Sequence, residues 1–143
     1  IGVRQTATYE GQAAIELEAL ADPDETRAYE MELGGGLIDP APLLQGILHD
    51  WRQQVPAASI AARFHNGVSQ ALLAACQQGR QVFGSRTVAL SGGVWQNMLL
   101  LSKTTRLLQA DGFTVLVHRR TPTNDGCISL GQAVAAASIQ MER

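Results

Sequence analysis

Val-Ala-Leu-Ser-Gly-Gly-Val-Trp-Gln-Asn, residues 88–97, indicates a strand that turns on paired glycines into a helix. A β-prone run predicts a strand over 86–90, and apolar residues at helical spacing predict a helix over 96–110. Such a turn brings backbone N–H groups to the partly positive start of a helix, and glycine allows a phosphate to approach them closely. The alternative is a tight turn that holds no ligand, because the run matches neither the P-loop nor the dinucleotide fingerprint.

A second run, Pro-Thr-Asn-Asp-Gly-Cys-Ile-Ser-Leu-Gly-Gln at residues 122–132, shows the same arrangement. It follows a predicted strand over 113–118 and precedes a predicted helix over 129–140. Asn-Asp-Gly is strong turn chemistry, and an acidic residue at this edge of an α/β sheet is well placed to hold a metal or a metal-bound phosphate. Asp125 is that residue, unless it only caps the helix. Two glycine-bearing turns of this kind, each between a strand and a helix, predict that both line one crevice.

The rest of the chain alternates between helical and extended patterns. Apolar periodicity predicts a helix, a strand of alternating polarity, a short strand that completes a hairpin, and two further helices. Asp39 and Pro40 are typical of an N-cap and a first helical position. Strands that alternate with helices towards the carboxyl end imply an α/β layer with a partly parallel sheet. The predicted ranges are, in order, 11–21, 28–33, 37–38, 41–51 and 55–78.

Composition favours a folded chain with an ordinary core. The 143 residues are 45% hydrophobic and 17% charged, which fits one soluble domain rather than disorder. The net charge is −2 and the basic residues are scattered, so nucleic acid is not expected as the main partner. No apolar run approaches the ~20 residues of a membrane span, and no secretory signal is visible. Cys76 and Cys127 lack metal-ligand spacing, so reduced thiols in a cytoplasmic protein are expected.

Several motifs, in this order along the chain, resemble the carboxyl-terminal region of the hydrogenase maturation carbamoyltransferase family HypF. They are Tyr-Glu-Gly-Gln-Ala-Ala-Ile-Glu-Leu-Glu at 9–18, Ala-Ala-Arg-Phe-His-Asn at 61–66, Ala-Leu-Ser-Gly-Gly-Val-Trp-Gln-Asn at 89–97, Gly-Phe-Thr-Val-Leu at 112–116 and Asn-Asp-Gly-Cys-Ile-Ser-Leu-Gly-Gln-Ala at 124–133. Each motif alone is weak evidence, but their combination is specific and spans nearly the whole chain.

The resemblance implies an α/β fold of the actin-like ATPase (ASKHA) superfamily, similar to Kae1 and TsaD proteins, with a mixed sheet flanked by helices. Residues 1–143 would then form the carboxyl-terminal lobe of a two-lobed, Kae1-like nucleotide-binding domain whose upstream lobe is missing. A first residue that is Ile1 rather than Met fits a portion of a longer polypeptide. A lobe without its mate exposes apolar surface, so self-association is expected.

The resemblance also implies an activity. The family uses carbamoyl phosphate and ATP, with Mg²⁺, to form carbamoyl adenylate. The carbamoyl group then passes to the carboxyl-terminal cysteine of a HypE partner protein, as a step towards the cyanide ligand of nickel–iron hydrogenase. Because ATP lies between two lobes in this fold, we expect the isolated chain to bind nucleotide weakly or not at all and to show no turnover.

Site residues follow from the resemblance one position at a time. The glycine turn approaches the phosphates or ribose, a polar residue after it lines the same cleft, and a motif at the mouth of the cleft contacts the nucleoside. The residues of the glycine turn are Ser91, Gly92 and Gly93, and the polar residue after it is Asn97. The residues at the mouth of the cleft are Glu10, Gly11, Gln12 and Glu16. A carboxylate can accept both ribose hydroxyls, which favours Glu10 or Glu16. For Glu16 and Glu18 a solvated helix face is the alternative, and no catalytic residue is assigned.

The metal site is implied only in part. Asp125 matches the acidic residue that binds a divalent metal, Zn or Fe, in this superfamily. The family's histidine pair has no counterpart among His49, His65 and His118, so the missing lobe is expected to share the site and supply the pair. His65 is expected to pack or to form hydrogen bonds. His118, at a strand end, is expected as a surface or edge residue, at the head of a basic trio, 118–120, that is open to an acidic ligand.

Two residues depart from the family pattern. Cys127 replaces a small residue, commonly glycine. A plain buried residue is expected there, with a reactive thiol beside the phosphate site as the alternative. Trp95 stands where phenylalanine is common, and we expect this aromatic side chain in the core rather than as a stacking platform for a base.

Two other functions stay open. The same fold carries threonylcarbamoyl transfer to tRNA in Kae1 and TsaD proteins, and O-carbamoyl transfer to small molecules, although the lack of a basic surface argues against tRNA. The lobe could also be a non-catalytic module that docks a partner or a second copy of itself. The motifs at 9–18 and 124–133 favour the first function.

Overall fold

The computed structural model describes residues 1–141, which form five α-helices and four short strands. Two single turns of 3-10 helix, Gly93–Gln96 and Asp125–Cys127, precede the last two helices. In chain order the elements are α1 (Gln12–Leu20), β1 (Glu32–Gly34), β2 (Leu37–Asp39), α2 (Ala41–Arg52), α3 (Ala57–Phe83), β3 (Thr87–Leu90), α4 (Met98–Ala110), β4 (Thr114–Val117) and α5 (Ile128–Met141).

Helix α3 is the central helix of the fold, since α1, α2 and α4 all pack against it. Its Val68 side chain contacts two hydrophobic clusters, one on each side. The first cluster belongs to the α/β half and contains Leu90, Trp95, Leu100, Leu108 and Phe113. The second contains Tyr29, Leu43 and Ile60. Trp95 is therefore a core residue, as expected from the sequence.

The predicted end of the long helix, before Gly79, is wrong. Helix α3 continues to Phe83 and ends at Gly84, whose φ of 70° is the left-handed conformation that favours glycine. A glycine within a helix costs about 1 kcal/mol relative to alanine, and tertiary contacts of the last turn oppose that cost. The Arg80 guanidinium lies 4.6 Å from the centroid of the Phe113 ring and donates a hydrogen bond of 3.0 Å to the carbonyl oxygen of Asp111.

The four described strands form two separate pairs. Strands β3 and β4 are parallel, with Thr87 opposite Thr114 and Leu90 opposite Val117. Strands β1 and β2 form the predicted antiparallel hairpin. The parallel pair, packed on α4, is the α/β layer that the alternating pattern predicted, and its carboxyl edge carries both glycine turns.

The strand predicted over 28–33 is wrong for residues 28–31. Only Glu32 and Leu33 of that range pair in the hairpin. The Tyr29 N–H instead donates to the carbonyl oxygen of Arg63 on α3 at 3.2 Å, and the Asn66 side chain of α3 donates to the carbonyl oxygen of Arg27 at 2.8 Å. This backbone is bound to a helix, which an alternating pattern of polarity does not reveal.

A buried ion network reinforces that contact. Arg63 pairs with both Glu25 and Asp50, and the Tyr29 hydroxyl donates to Asp50 at 2.7 Å. Hydrogen bonds from Arg27, and further ones from Arg63, lower the pKa of Glu25 to about 2. Burial raises the pKa of Asp50, but the Tyr29 and Arg63 hydrogen bonds outweigh it and leave that pKa below its usual value. The network holds the 25–29 segment against α3.

Candidate functional site

The two glycine turns lie side by side at the carboxyl edge of β3 and β4. The Gly92 N–H donates to the carbonyl oxygen of Thr123 at 2.9 Å. A Cβ on Gly93 would lie 3.8 Å from the Cβ of Asn124. The chain therefore brings together the two turns that the sequence predicted to form one crevice.

Glycine is required at the first turn. Gly92 has φ 103° and ψ 162°, which a residue with a Cβ rarely adopts. The turn continues into the single 3-10 turn Gly93–Gln96, whose Trp95 side chain is buried in the first cluster. Within residues 1–141, the N–H groups of Gly93 and Val94 have no hydrogen-bond partner, and both residues are exposed. These two unpaired donors lie at the edge of the sheet.

The start of α4 offers a phosphate fewer free donors than the glycine turn predicts. Asn97 is extended, so α4 begins only at Met98. Its first donors are taken by side chains: the Leu99 N–H donates to Glu18 Oε1 at 2.9 Å, and the Leu100 N–H donates to Asn97 Oδ1 at 2.8 Å. In the stretch 93–100, the donors that have no partner within residues 1–141 are the N–H groups of Gly93 and Val94 in the preceding 3-10 turn and that of Met98 at the start of α4.

Asn97 connects α4 to α3 through a buried histidine. His65 is 1% exposed, and its Nδ1 lies 2.7 Å from the carbonyl oxygen of Ala61. A carbonyl oxygen only accepts, so Nδ1 carries the proton and Nε2 accepts from the Asn97 Nδ2, 3.0 Å away. The expected hydrogen-bonding role of His65 is confirmed. Both polar groups of the Asn97 side chain are thereby engaged within the chain.

His118 lies at the edge of the sheet, as expected, and also within the candidate site, to which the sequence did not assign it. Its ring is half-buried, with Nε2 2.9 Å from Ser91 Oγ and Nδ1 3.0 Å from Thr121 Oγ1. The register explains this position. Leu90 lies opposite Val117, so the next residue after each strand, Ser91 and His118, also face each other. If the two predicted strands had been paired in parallel, the sequence would have predicted the contact between Ser91 and His118.

The 9–18 motif folds mainly upon itself. Gly11, with φ 79°, precedes α1, and Glu10 is exposed. The buried Gln12 side chain accepts from the Thr8 N–H at 2.8 Å and donates to Glu16 at 3.1 Å. Glu16 also pairs with Arg4, whose hydrogen bonds lower the pKa of the Glu16 carboxyl.

A solvated face, the alternative for Glu16 and Glu18, holds for Glu16, whose carboxylate forms an exposed pair with Arg4. It is wrong for Glu18, which accepts from the Leu99 N–H at the start of α4. Glu18 was not assigned to the site from the sequence, but it joins α1 to the helix that follows the glycine turn.

Asp125 begins the second 3-10 turn and is exposed. Asn124 shapes the turn, because its Oδ1 accepts from the Gly126 N–H at 3.2 Å. In the described part of the chain, no three His, Cys, Asp or Glu side chains converge to form a metal site. Thr123 Oγ1 is buried there without a hydrogen-bond partner, and Cys127 is half-buried with a free thiol.

Residues 1–132 match a family model described as carbamoyltransferase, Kae1-like domain, second subdomain. This chain belongs to that family. The family match and the α/β fold confirm the resemblance and the fold class inferred from the motifs. Among residues 1–141, none of the helices is both long and apolar enough to cross a lipid bilayer.

Individual carbamoyltransferases are similar over nearly the whole chain. Carbamoyltransferase HypF of Synechocystis sp. is 37% identical and that of Rhizobium leguminosarum bv. viciae 38% identical, over 94% and 98% of this chain. A crystal structure of full-length HypF in the phosphate- and nucleotide-bound form matches 96% of the chain with 40% identity and a TM-score of 0.89. The T. kodakarensis HypF structure matches with 27% identity and a TM-score of 0.83. The chain spans 18% of the length of the Synechocystis protein and 18% of the length of the Rhizobium protein.

Proposed function

We propose that this chain forms one wall of the nucleotide site in an ATP-dependent carbamoyltransferase of nickel–iron hydrogenase maturation. In this proposal the whole enzyme converts carbamoyl phosphate and ATP, with Mg²⁺, into carbamoyl adenylate and carbamoylates the carboxyl-terminal cysteine of a HypE-like protein. The chain would be the second lobe of a two-lobed domain. The observation that carries the proposal is the Gly92 to Thr123 hydrogen bond, which joins two glycine turns at the edge of a parallel strand pair.

The residues of this edge fit a nucleotide. The Ser91 hydroxyl is exposed, the N–H groups of Gly93 and Val94 are available donors, and the space beside Gly92 is open, since an added Cβ would meet no atom within 4 Å. Backbone donors without nearby side chains suit the oxygens of a phosphate chain. Bound ATP would supply the adenylyl group. The similar full-length HypF whose crystal structure is phosphate- and nucleotide-bound supports this use of the fold.

The residues do not fit a complete metal site. Asp125 is one carboxylate, and among residues 1–141 no cluster of potential ligands surrounds it. A single carboxylate leaves most positions of a divalent ion unfilled. A Zn or Fe ion at Asp125 therefore needs ligands from outside this chain, and we derive no reaction step through it.

Glu10 is the better candidate for the ribose contact. Its carboxylate is exposed and makes no hydrogen bond within residues 1–141, whereas the Glu16 carboxylate is held by Arg4 and Gln12. A carboxylate with free lone pairs can accept both ribose hydroxyls. Gly11 and Gln12 would then position Glu10 at the start of α1 rather than contact the nucleoside themselves.

A docking role is the second candidate, and α5 favours it. Every described side chain of α5, from 128 to 138, is exposed, including Ile128, Leu130 and Val134. An apolar helix that covers none of its own fold is typical of a surface that meets another chain or lobe. We therefore expect the isolated chain to form a dimer. A monodisperse monomer by light scattering would contradict this.

The other chemistries of the fold are less well supported. The relatives are named as HypF carbamoyltransferases, and a net charge of −2 does not favour tRNA. Both cysteines are free thiols, which fits our proposal of a cytoplasmic enzyme.

The proposed function can be tested with a hybrid enzyme. The region of Synechocystis HypF that corresponds to this chain is replaced by the chain, and pyrophosphate release is measured with carbamoyl phosphate and ATP. We expect release that requires both substrates, and carbamoyl transfer when a HypE protein is added. A soluble, folded hybrid that binds ATP but releases no pyrophosphate would overturn the proposal.

A further inference from the structure

His118 stands between the two glycine turns with both ring nitrogens in use. Nε2 lies 2.9 Å from Ser91 Oγ on the first turn, and Nδ1 lies 3.0 Å from Thr121 Oγ1 on the approach to the second. Both distances are those of ordinary hydrogen bonds. The ring is half-buried, whereas Ser91 is exposed. A contact at each nitrogen fixes both the position and the plane of the ring.

The backbone holds this arrangement from both sides. The parallel register ends at Leu90 opposite Val117, so Ser91 and His118 follow their strands as neighbours. The Gly92 N–H bond to the Thr123 carbonyl oxygen ties the two loops together immediately beyond them. His118 therefore contacts Ser91 because of the sheet and the turns.

We propose that His118 is a positioning residue that turns the Ser91 hydroxyl towards a phosphate oxygen of the nucleotide. A serine hydroxyl has one hydrogen and rotates freely unless a neighbour holds it. With the proton on Nε2, His118 donates to Ser91 Oγ and accepts at Nδ1 from the Thr121 hydroxyl. Ser91 then keeps its own hydrogen for the ligand. This inference rests on the proposed function, because it requires that the edge faces a phosphate.

The charge of the same loop favours a phosphate as the ligand. Arg119 and Arg120 follow His118 directly and are exposed, and neither forms a salt bridge within the part of the chain that the structure describes. The loop over 118–127 contains one carboxylate, that of Asp125, against the two guanidinium groups. Its net charge is therefore positive. Guanidinium groups attract phosphate oxygens strongly.

The test uses the 143-residue chain and inorganic phosphate. Binding is followed by the amide chemical shifts of the two turns in NMR titrations, which detect millimolar affinities. Glutamine and asparagine provide matched replacements for His118. The amide of His118→Gln reaches as far as Nε2 and can contact Ser91, whereas that of His118→Asn reaches only as far as Nδ1 and can contact Thr121.

We expect Ser91→Ala and His118→Ala each to raise the dissociation constant for phosphate about tenfold, as for loss of a hydrogen bond to a charged group. The double variant should be no worse than Ser91→Ala, because the two residues act as one unit. His118→Gln should remain within about twofold of the original chain, and His118→Asn should resemble His118→Ala.

Two outcomes would overturn the inference. One is phosphate binding that His118→Ala leaves unchanged; the proposed function would then stand. The other is the absence of any shift at the turns of the original chain, because the inference requires weak rather than no phosphate binding by the isolated chain, and the titration detects millimolar affinities. Failure of the proposed function would be seen separately, as a hybrid enzyme without pyrophosphate release.

Discussion

His65 Nε2 accepts a hydrogen bond from Asn97 Nδ2 at 3.0 Å, and this contact joins the middle of α3 to the start of α4. The same Asn97 side chain caps α4 by accepting from the Leu100 N–H. Asn97, which ends the first glycine turn, is therefore held by the central helix α3. The position of that turn depends on a buried contact far from it in the sequence.

Substitution of Asn97 separates these two roles. Asn97→Ala should lower the free energy of unfolding by about 2 kcal/mol, because it removes the cap and leaves the buried His65 Nε2 without a donor. Asn97→Ser keeps a capping oxygen but does not reach His65, so we expect a loss of about 1 kcal/mol. Urea unfolding measures both. Equal losses for the two variants would show that the His65 contact contributes nothing.

Two glycines of α3 should respond in opposite directions to alanine. A Cβ on Gly67 would lie 2.3 Å from the carbonyl oxygen of Tyr29, which is backbone and cannot move away cheaply. We expect Gly67→Ala to cost about 3 kcal/mol. Gly79, in the same helix, has no atom within 4 Å of an added Cβ, so Gly79→Ala should stabilise the chain by about 1 kcal/mol. Thermal or urea unfolding decides the matter, and a tolerated Gly67→Ala would contradict the observed contact.

The Glu25 network predicts acid sensitivity. The pKa of Glu25 is about 2 in the folded chain, against an ordinary value of 4.5. The unfolded chain therefore binds the proton first, and the stabilisation present above about pH 4.5 is lost as the pH falls towards 2. Glu25→Gln should be less stable than the original chain by about 3 kcal/mol at pH 7. The two stability curves should converge between pH 5 and 2; parallel curves would contradict this assignment.

Glu18 should matter more than its neighbour Glu16. Glu18→Ala leaves the Leu99 N–H at the start of α4 without its partner, so we expect a loss of about 1 kcal/mol, largely restored in Glu18→Gln. Glu16→Ala removes an exposed pair with Arg4 and should change stability little. Urea unfolding of the three variants is the measurement. Glu16→Ala as costly as Glu18→Ala would contradict this ranking.

Local patterns predicted most of the elements. Apolar periodicity placed α1, α2 and α5 to within a few residues, and turn chemistry located both glycine turns. The errors arose where tertiary contacts decide. The 28–31 segment binds α3 through Tyr29 instead of pairing with a strand. Helix α3 continues beyond Gly79, where Arg80 bonds to the carbonyl oxygen of Asp111.

The candidate site was predictable in its glycines but not in its supporting side chains. Ser91, Gly92 and Gly93 lie within one motif, so a single stretch of sequence reveals them. His118 reaches Ser91 only through the register of two strands, and Glu18 reaches Leu99 across 81 positions of the sequence. No local pattern carries such contacts.

The central claim is that the Gly92 turn faces the nucleotide, and the Michaelis constant for ATP of the hybrid enzyme tests it most directly. Gly92→Val forces a branched side chain into a positive-φ conformation that is essentially restricted to glycine, beside the exposed residues Gly93 and Val94. The Gly79→Ala hybrid is the control. We predict that Gly92→Val raises the Michaelis constant for ATP at least about tenfold, and that Gly79→Ala leaves it unchanged. A folded Gly92→Val hybrid with an unaltered constant would contradict the account.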